Sequence, residues 1–351
     1  DIRNGVCQDC QRKRNAAART LVPYRPMSDL IRATMKNPIF VLTFLLFASS
    51  ALYGQSGYSI SPAGINFQGM LFADKLKAAR AEFDAQDNAA PLRSISARGL
   101  DQEGLRLLCE SVPELERLEL LYSPDISDLS VLRALPGLLE LRLQGLEQIS
   151  DLNTLPELPA LRTLLISCLP MQEVRGFDKL PRLTELELQL PGLTDFRGLS
   201  EIKRLETLKI KAEDLGDLSF LQELNRLLWL ELAAADFSNI EALQQLNRLR
   251  ILRISNAAAS QKNLNLQFLR GCRNISQLQL RNLFLQETEA LRALSKLVYL
   301  DLGSCQGLES LEMLRNMPML RTVRLPRADF KPEDFEALRK GVNIYFGKET
   351  H

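Results

Sequence analysis

The stretch LLWLELAAADFSNIEALQQLNRLRILRI, residues 227–254, decides the fold because one leucine pattern occurs in it twice. The spacing L-x-x-L-x-L begins at Leu227 and begins again 22 residues later at Leu249. Alternation over the last three positions is typical of a short strand with one face buried. The stretch therefore predicts two strands that bury their leucines and turn the intervening residues outward.

The same pattern runs through most of the chain. Its first positions are 22 or 23 residues apart, except for one step of 26, and they are Leu92, Leu115, Leu138, Leu161, Leu183, Leu205, Leu227, Leu249, Ile275, Leu297 and Leu320. Eleven copies at a constant period indicate an array in which stacked neighbours bury the leucines that one repeat cannot bury alone. The longer step predicts an insertion within residues 255–265.

The segments between the predicted strands differ along the chain. In the early copies the apolar residues come every third position, as from Ile126 to Leu135, which suits short 3₁₀ turns. Residues 285–296 and 331–341 are predicted to be true helices, the second with Pro332 near its start. At the N-terminal end, residues 72–86 are predicted to form an amphipathic capping helix after an irregular leader at 55–68.

This pattern resembles the leucine-rich repeat family over residues 91–346, and the 22–23-residue copies resemble the internalin-type repeats of bacterial surface proteins. The resemblance implies an α/β repeat fold of about eleven repeats. In that fold a curved parallel β-sheet forms the concave face, and 3₁₀ or short helices form the convex face of the solenoid. The position where the family places Asn holds other residues here, for example Ser123 and Cys305.

Charge is unevenly distributed. Residues 1–36 hold eight of the 44 Lys and Arg and three of the 43 Asp and Glu, and residues 37–54 hold none of either. The remainder thus has 36 basic and 40 acidic residues. Because this part is weakly acidic, it has no electrostatic reason to bind nucleic acid.

Residues 35–54 have the pattern of a secretory signal peptide. Lys36 provides a positive start, residues 39–47 are apolar, and residues 48–51 are small enough for cleavage. The alternative is an uncleaved anchor, although the run is short for a bilayer span. The predicted organisation, with no membrane span in the mature chain, is an upstream non-native extension (1–34), a signal peptide (35–54), a leader with a capping helix (55–90), the repeat domain with its C-terminal cap (91–346) and a tail (347–351).

Composition leaves little room for catalysis. The one histidine is His351, which excludes nearly every Ser–His or Cys–His catalytic arrangement and His-based metal site, and there is no glycine-rich phosphate loop. We expect a non-enzymatic protein without cofactor or metal, although composition still allows a paired-carboxylate hydrolase. We also expect no disulfides, since the four cysteines of the repeat region (Cys109, Cys168, Cys272 and Cys305) are predicted to lie far from one another.

One acidic column recurs after the strands, and its members are Asp128, Asp151, Asp195 and Asp217, continued by Asn239. Aligned carboxylates are potential calcium ligands, which is one interpretation of this column. We prefer the reading in which each caps the turn that begins just after it, because a repeated cap needs no ion.

Two columns of side chains alternate with the buried leucines. In the first, five adjacent pairs are charged and each pair is opposite in sign, as at Glu231 and Arg253. This predicts a self-neutralising ladder across the sheet. The second column holds Trp229, Ile251 and Tyr299, and these three with Glu231 and Arg253 form the predicted partner-binding surface. The alternative is that the insertion at 255–265 or a C-terminal element covers it.

Together these features predict an exported, extracytoplasmic bacterial protein, monomeric and non-enzymatic, that binds a protein partner on the concave face. A cytoplasmic repeat scaffold or regulatory subunit is the alternative if residues 1–34 are translated and retained. A structural envelope component is a third possibility, in which the Trp229 surface would contact no partner. Fold alone does not select among them.

Overall fold

The computed structural model describes residues 57–62, 64–69, 73–86, 91–258, 261–315, 317–326, 330–338 and 340–347. The chain divides into two compact units, one ending at Gln148 and the other starting at Ile149. The predicted extension at 1–34 and the predicted signal peptide at 35–54 lie outside the described residues. Within the described ranges, no helix has the length and apolarity needed to cross a membrane.

The N-terminal unit contains five strands in spatial order β1 to β5. They are β1 (Tyr58–Ser61), β2 (Gly64–Gln68), β3 (Ser94–Arg98), β4 (Arg117–Leu121) and β5 (Glu140–Gln144). β1 is antiparallel to β2, and each later pair is parallel. Two α-helices, α1 (Ala73–Asp84) and α2 (Gln102–Ser111), and one 3₁₀ turn (Ser130–Ala134) connect the strands.

The start of this unit corrects one expectation. Residues 55–68 were expected to be an irregular leader, but β1 and β2 form a hairpin there. The reason is that Ile65 and Phe67, two residues apart, are buried and align with Ile95 and Ala97 of β3. The helix predicted at 72–86 is present as α1.

The C-terminal unit contains the remaining strands. They are β6 (Thr163–Ser167), β7 (Glu185–Gln189), β8 (Thr207–Lys211), β9 (Asp214–Asp217), β10 (Trp229–Ala234), β11 (Asp236–Ser238), β12 (Ile251–Asn256), β13 (Lys262–Asn265), β14 (Gln277–Arg281), β15 (Leu283–Gln286), β16 (Tyr299–Asp301), β17 (Thr322–Leu325) and β18 (Asn343–Phe346). The main sheet has the order β6-β7-β8-β10-β12-β14-β16-β17-β18, and β9 with β11 and β13 with β15 form two small parallel sheets.

The main sheet keeps the register that the repeat demands. Leu230 of β10 lies opposite Leu252 of β12 and Leu208 of β8, and all three are fully buried. Because successive side chains of a strand point to opposite faces, Trp229 and Glu231 lie on the other side of the sheet. We call the side that carries them the outward face.

Short 3₁₀ turns connect these strands, and they correct a second expectation. They span Phe177–Lys179, Arg197–Glu201, Leu218–Glu223, Ile240–Gln245, Leu266–Arg270, Thr288–Ala293, Glu312–Leu314 and Pro332–Ala337. The segments 285–296 and 331–341 were predicted to be true helices, but each holds only a 3₁₀ turn. Leu291, Leu294 and Leu297 are buried at a spacing of three, which matches a 3₁₀ turn better than an α-helix.

The acidic column caps the turns as predicted. Asp128, Asp151, Asp195 and Asp217 each accept the backbone N–H two residues further on, at 2.7–2.9 Å. Asn239 does not cap a turn; its side-chain amide donates instead to Asp217 at 3.1 Å. Each cap satisfies a backbone donor that the following turn would leave unpaired.

The cysteines divide into two groups. Cys109, Cys272 and Cys305 are free and buried, and burial raises the pKa of each thiol to about 12. Cys168 is disulfide-bonded, so the expectation of no disulfides is wrong at that residue. The expectation rested on the predicted distances among the four cysteines of the repeat region.

Candidate partner-binding surface

Trp229, the only tryptophan of the chain, opens β10 on the outward face. It lies opposite Thr207 of β8 and Ile251 of β12, and its side chain is half-buried while Leu230 beside it is fully buried. The outward phase predicted from the leucine pattern is therefore confirmed. The described part of the insertion at 255–265 continues β12 to Asn256 and then forms β13, which pairs with β15 in a separate sheet.

Two cations contact the indole ring of Trp229. The Lys209 Nζ lies 4.8 Å from the ring centroid, and the Arg253 guanidinium carbon lies 5.0 Å from it. Contacts of this kind contribute about 0.5–1 kcal/mol each at exposed sites. Trp229 is therefore held between two charged side chains from the neighbouring strands.

The indole nitrogen of Trp229 is a separate feature. Its Nε1 atom is buried and has no hydrogen-bond partner, the one side-chain nitrogen or oxygen in this state within the described part of the chain. A buried donor without an acceptor costs about 1–3 kcal/mol.

Three of the five opposite-sign pairs that the ladder predicts form ion pairs across the sheet in the described residues. Their closest atoms are 3.8 Å apart for Glu119 and Arg142, 3.5 Å for Glu187 and Lys209, and 3.3 Å for Glu231 and Arg253. All three pairs are partly exposed, so each contributes about 0.2–1 kcal/mol to the free energy of unfolding. The two pairs beside Trp229 also fix the cations that contact its ring.

The ladder changes character at Asp301. This residue belongs to the outward column, yet it is only 3% exposed. Its carboxylate accepts the Gln279 amide at 2.6 Å, the Tyr299 hydroxyl at 3.4 Å and the backbone N–H of Gly303 at 3.1 Å, and its ion pair with Arg281 is long at 3.9 Å. Burial, and next the charge of Asp301, raise the pKa of Tyr299 above its usual value near 10.

The five predicted surface residues fall into two places. Trp229, Glu231, Ile251 and Arg253 lie together on the adjacent strands β10 and β12. Tyr299 lies two strands beyond β12, and Gln277 stands between it and Ile251 in the same row. Because parallel strands are about 4.8 Å apart, Trp229 and Tyr299 are about 14 Å apart along the sheet.

Sequence reasoning missed four residues of this surface, namely Lys209, Gln279, Arg281 and Asp301. Gln279 was detectable in principle, since it is the uncharged position between Arg253 and Asp301 in the charged column. Arg281 lies two residues after Gln279 at the end of β14. It was missed because it lies outside the two columns that alternate with the buried leucines.

A shallow, open depression of about 390 Å³ lies between these two places, lined by Arg253, Gln277, Gln279, Arg281 and Tyr299. Its lining is mostly polar and comes from three adjacent strands, β12, β14 and β16. Among the residues that the structure describes, no three or more His, Cys, Asp or Glu are grouped to hold a metal ion.

Comparison with known proteins identifies solved structures with a similar fold. No protein-family model matches the sequence, and no curated protein matches it. Among similar solved structures is an internalin from Listeria monocytogenes, with 21% identity, covering 68% of this chain and 73% of that one, at a TM-score of 0.42. Internalin C2 from the same organism has 20% identity, covering 63% and 82%, at a TM-score of 0.42.

Toll in the Drosophila Toll–Spatzle complex is similar over 83% of this chain, with 14% identity and a TM-score of 0.63. This chain spans 44% of the length of that one. The register of the parallel strands, the 3₁₀ turns and this structural likeness show that the chain has a leucine-rich repeat fold, a solenoid of the kind predicted from the sequence.

Proposed function

We propose that this chain is an exported, non-enzymatic leucine-rich repeat protein that binds a protein partner on the outward face of its main sheet, the concave side of such a solenoid. The partner-binding residues are Trp229, Ile251, Tyr299, Glu231 and Arg253. Export is supported by the signal-peptide pattern at residues 35–54, and protein binding is supported by the fold.

The observation that carries the proposal is the state of Trp229. A large aromatic side chain stands half-buried on the outward face, and its buried indole N–H lacks an acceptor. Tryptophan and arginine are the residue types most enriched where binding energy concentrates in interfaces. A partner that covers the exposed part of the ring gains apolar burial.

Partner capture tests the surface. The wild-type protein and a Trp229→Ala/Tyr299→Ala variant are immobilised, and proteins bound from an extracytoplasmic fraction of the host are identified by mass spectrometry. We expect the double variant to lose specific partners while keeping its melting temperature within a few degrees. Leu165→Ala is the matched control, because Leu165 is a half-buried apolar residue of the same face, on β6.

Two outcomes would contradict the proposal. Full capture by the double variant would reject this surface as the interface. A strongly lowered melting temperature would show that Trp229 and Tyr299 serve the core instead.

Export is tested separately, by intact mass and N-terminal sequencing of the protein from each fraction of its host. We expect a start near residues 52–55 in an extracytoplasmic fraction. A cytoplasmic protein that retains residues before Met35 would reject export and favour an intracellular scaffold.

A further inference from the structure

The depression between Trp229 and Tyr299 presents hydrogen-bond donors to the solvent. Arg253 and Arg281 have only donors, and Gln277 adds an exposed amide. The one carboxylate beneath them, Asp301, is buried and already accepts from Gln279, Tyr299 and Gly303. A ligand group that binds the two guanidinium groups of this rim must therefore supply acceptors.

Charge around the depression is unbalanced, in contrast to the rest of the ladder. Arg253, Arg281 and Arg324 are near it, and Arg324 lies opposite Asp301 in the neighbouring strand. Glu231 and Asp301 are the carboxylates paired with these arginines. Three positive charges against two negative ones leave one guanidinium charge in excess.

Arg281 is only loosely held by the protein itself. Its contact with Asp301 is 3.9 Å, longer than a hydrogen bond, and its side chain is 56% exposed whereas that of Asp301 is 4% exposed. The planar guanidinium retains donors directed away from Asp301. A carboxylate accepts such a fork through both oxygens, which makes the pair directional as well as attractive.

The surroundings select a single charge over a polyanion. Glu185 and Glu187 lie on the same outward face three strands before β12, and Glu231 lies one strand before it. A phosphate polymer crossing the sheet would meet these carboxylates, whereas one side chain would meet only the excess positive charge.

We infer that this depression is a subsite for one carboxylate side chain, Asp or Glu, of a protein partner, held by Arg281 and Arg253 beside Trp229. The inference rests on the proposed function, since it names the chemistry of the partner at the same surface. The partner places an apolar group against Trp229 and Ile251 and an acidic group one to two strands further along the sheet.

Trp229 provides the assay, because it is the only tryptophan and its ring contacts Arg253. N-acetylglutamate N-methylamide, which has one side-chain carboxylate and no other charge, is titrated into the full chain while tryptophan fluorescence is recorded. We expect a saturable change that N-acetylglutamine N-methylamide does not produce.

Substitutions test whether the fluorescence change comes from binding in the depression. Arg281→Gln is expected to weaken binding of the glutamate probe at least tenfold, whereas Arg281→Lys, which keeps the charge, weakens it less. Arg117→Gln is the matched control, because Arg117 is an exposed arginine of a strand in the N-terminal unit. It is expected to bind within twofold of wild type, and circular dichroism checks the fold of each variant.

Several results would overturn the inference. They are no saturable change, an equal response to the glutamine probe, or equal weakening by Arg281→Gln and Arg117→Gln. Binding of N-acetylphosphoserine N-methylamide more than tenfold tighter than the glutamate probe would assign the depression to phosphate instead.

The test also separates this inference from the proposed function. Partner capture that depends on Trp229 but is unchanged in Arg281→Gln would leave the proposed function standing and reject the carboxylate subsite. Binding of the glutamate probe without capture of any partner would support a carboxylate-binding depression and reject the proposed function.

Discussion

The two aromatic positions on the outward face are built in opposite ways. Trp229 lies between two cations, Lys209 and Arg253, each paired with a glutamate of the ladder. Tyr299 lies instead over a buried carboxylate, Asp301, to which its hydroxyl donates. Both residues occupy the same column, so the repeat dictates where an aromatic side chain stands but not what surrounds it.

The difference indicates which of the two places tolerates the loss of a polar group. Around Trp229 the charged groups are partly exposed, and water can replace any of these ion-pair partners at little cost. Around Tyr299 the central carboxylate is buried, so its donors depend on it. We therefore expect the Tyr299 side to be the more rigid and the Trp229 side the more adaptable.

The largest expected effect comes from removing the buried carboxylate. Asp301→Ala leaves the Gln279 amide and the Gly303 N–H without their acceptor, which should cost about 1–3 kcal/mol in the free energy of unfolding. Glu231→Ala breaks an exposed pair and should cost less than about 1 kcal/mol. Urea denaturation of both variants measures the difference, and equal losses would contradict the contrast between the two places.

A smaller effect is expected at Trp229. Lys209→Gln removes one cation from the ring and should cost about 0.5–1 kcal/mol. Part of that loss comes from the ion pair of Lys209 with Glu187. A double-mutant cycle separates the two contributions: the free energy of unfolding is measured for Trp229→Leu, for Lys209→Gln and for the two changes together. If the two changes are additive within error, the ring and the ammonium do not interact and the cation contact has no energetic role.

Much of the fold was predictable because burial repeats with the leucine pattern. Strand positions such as Leu230 and Leu252, the outward phase of Trp229 and the Asp caps all depend on spacing alone. The turn type at 285–296 was missed because composition favoured a helix, whereas the spacing of the buried leucines favoured 3₁₀ turns. Local propensity was the weaker guide in a stacked array.

The candidate site was less predictable. The column of charges correctly predicted three ion pairs, but it treated Asp301 as one more exposed charge. Its burial depends on Gln279, Tyr299 and Arg281, which converge on it from two strands. Period and phase give the direction of a side chain, whereas convergence depends on rotamers that spacing does not specify.

The smallest expected effect is on pH dependence, and it reports on Asp301 directly. The pKa of Tyr299 is raised by burial, then by the charge of Asp301, so the folded state holds the phenol proton more tightly than the unfolded state does. The resulting stability is present below pH about 10 and is lost as the pH rises through the folded pKa. Ultraviolet titration of tyrosinate, as the difference between wild type and Tyr299→Phe, measures that pKa.

Asp301→Asn sharpens this measurement because it keeps the size of the side chain and removes its charge. Loss of the neighbouring negative charge should move the pKa of Tyr299 down toward its usual value, while burial keeps part of the increase. The difference between the tyrosinate titration curves of Asp301→Asn and Asp301→Asn/Tyr299→Phe gives the titration of Tyr299 alone. An unchanged pKa would mean that burial alone raises it, and that Asp301 supports its neighbours by hydrogen bonds without acting on Tyr299 through its charge.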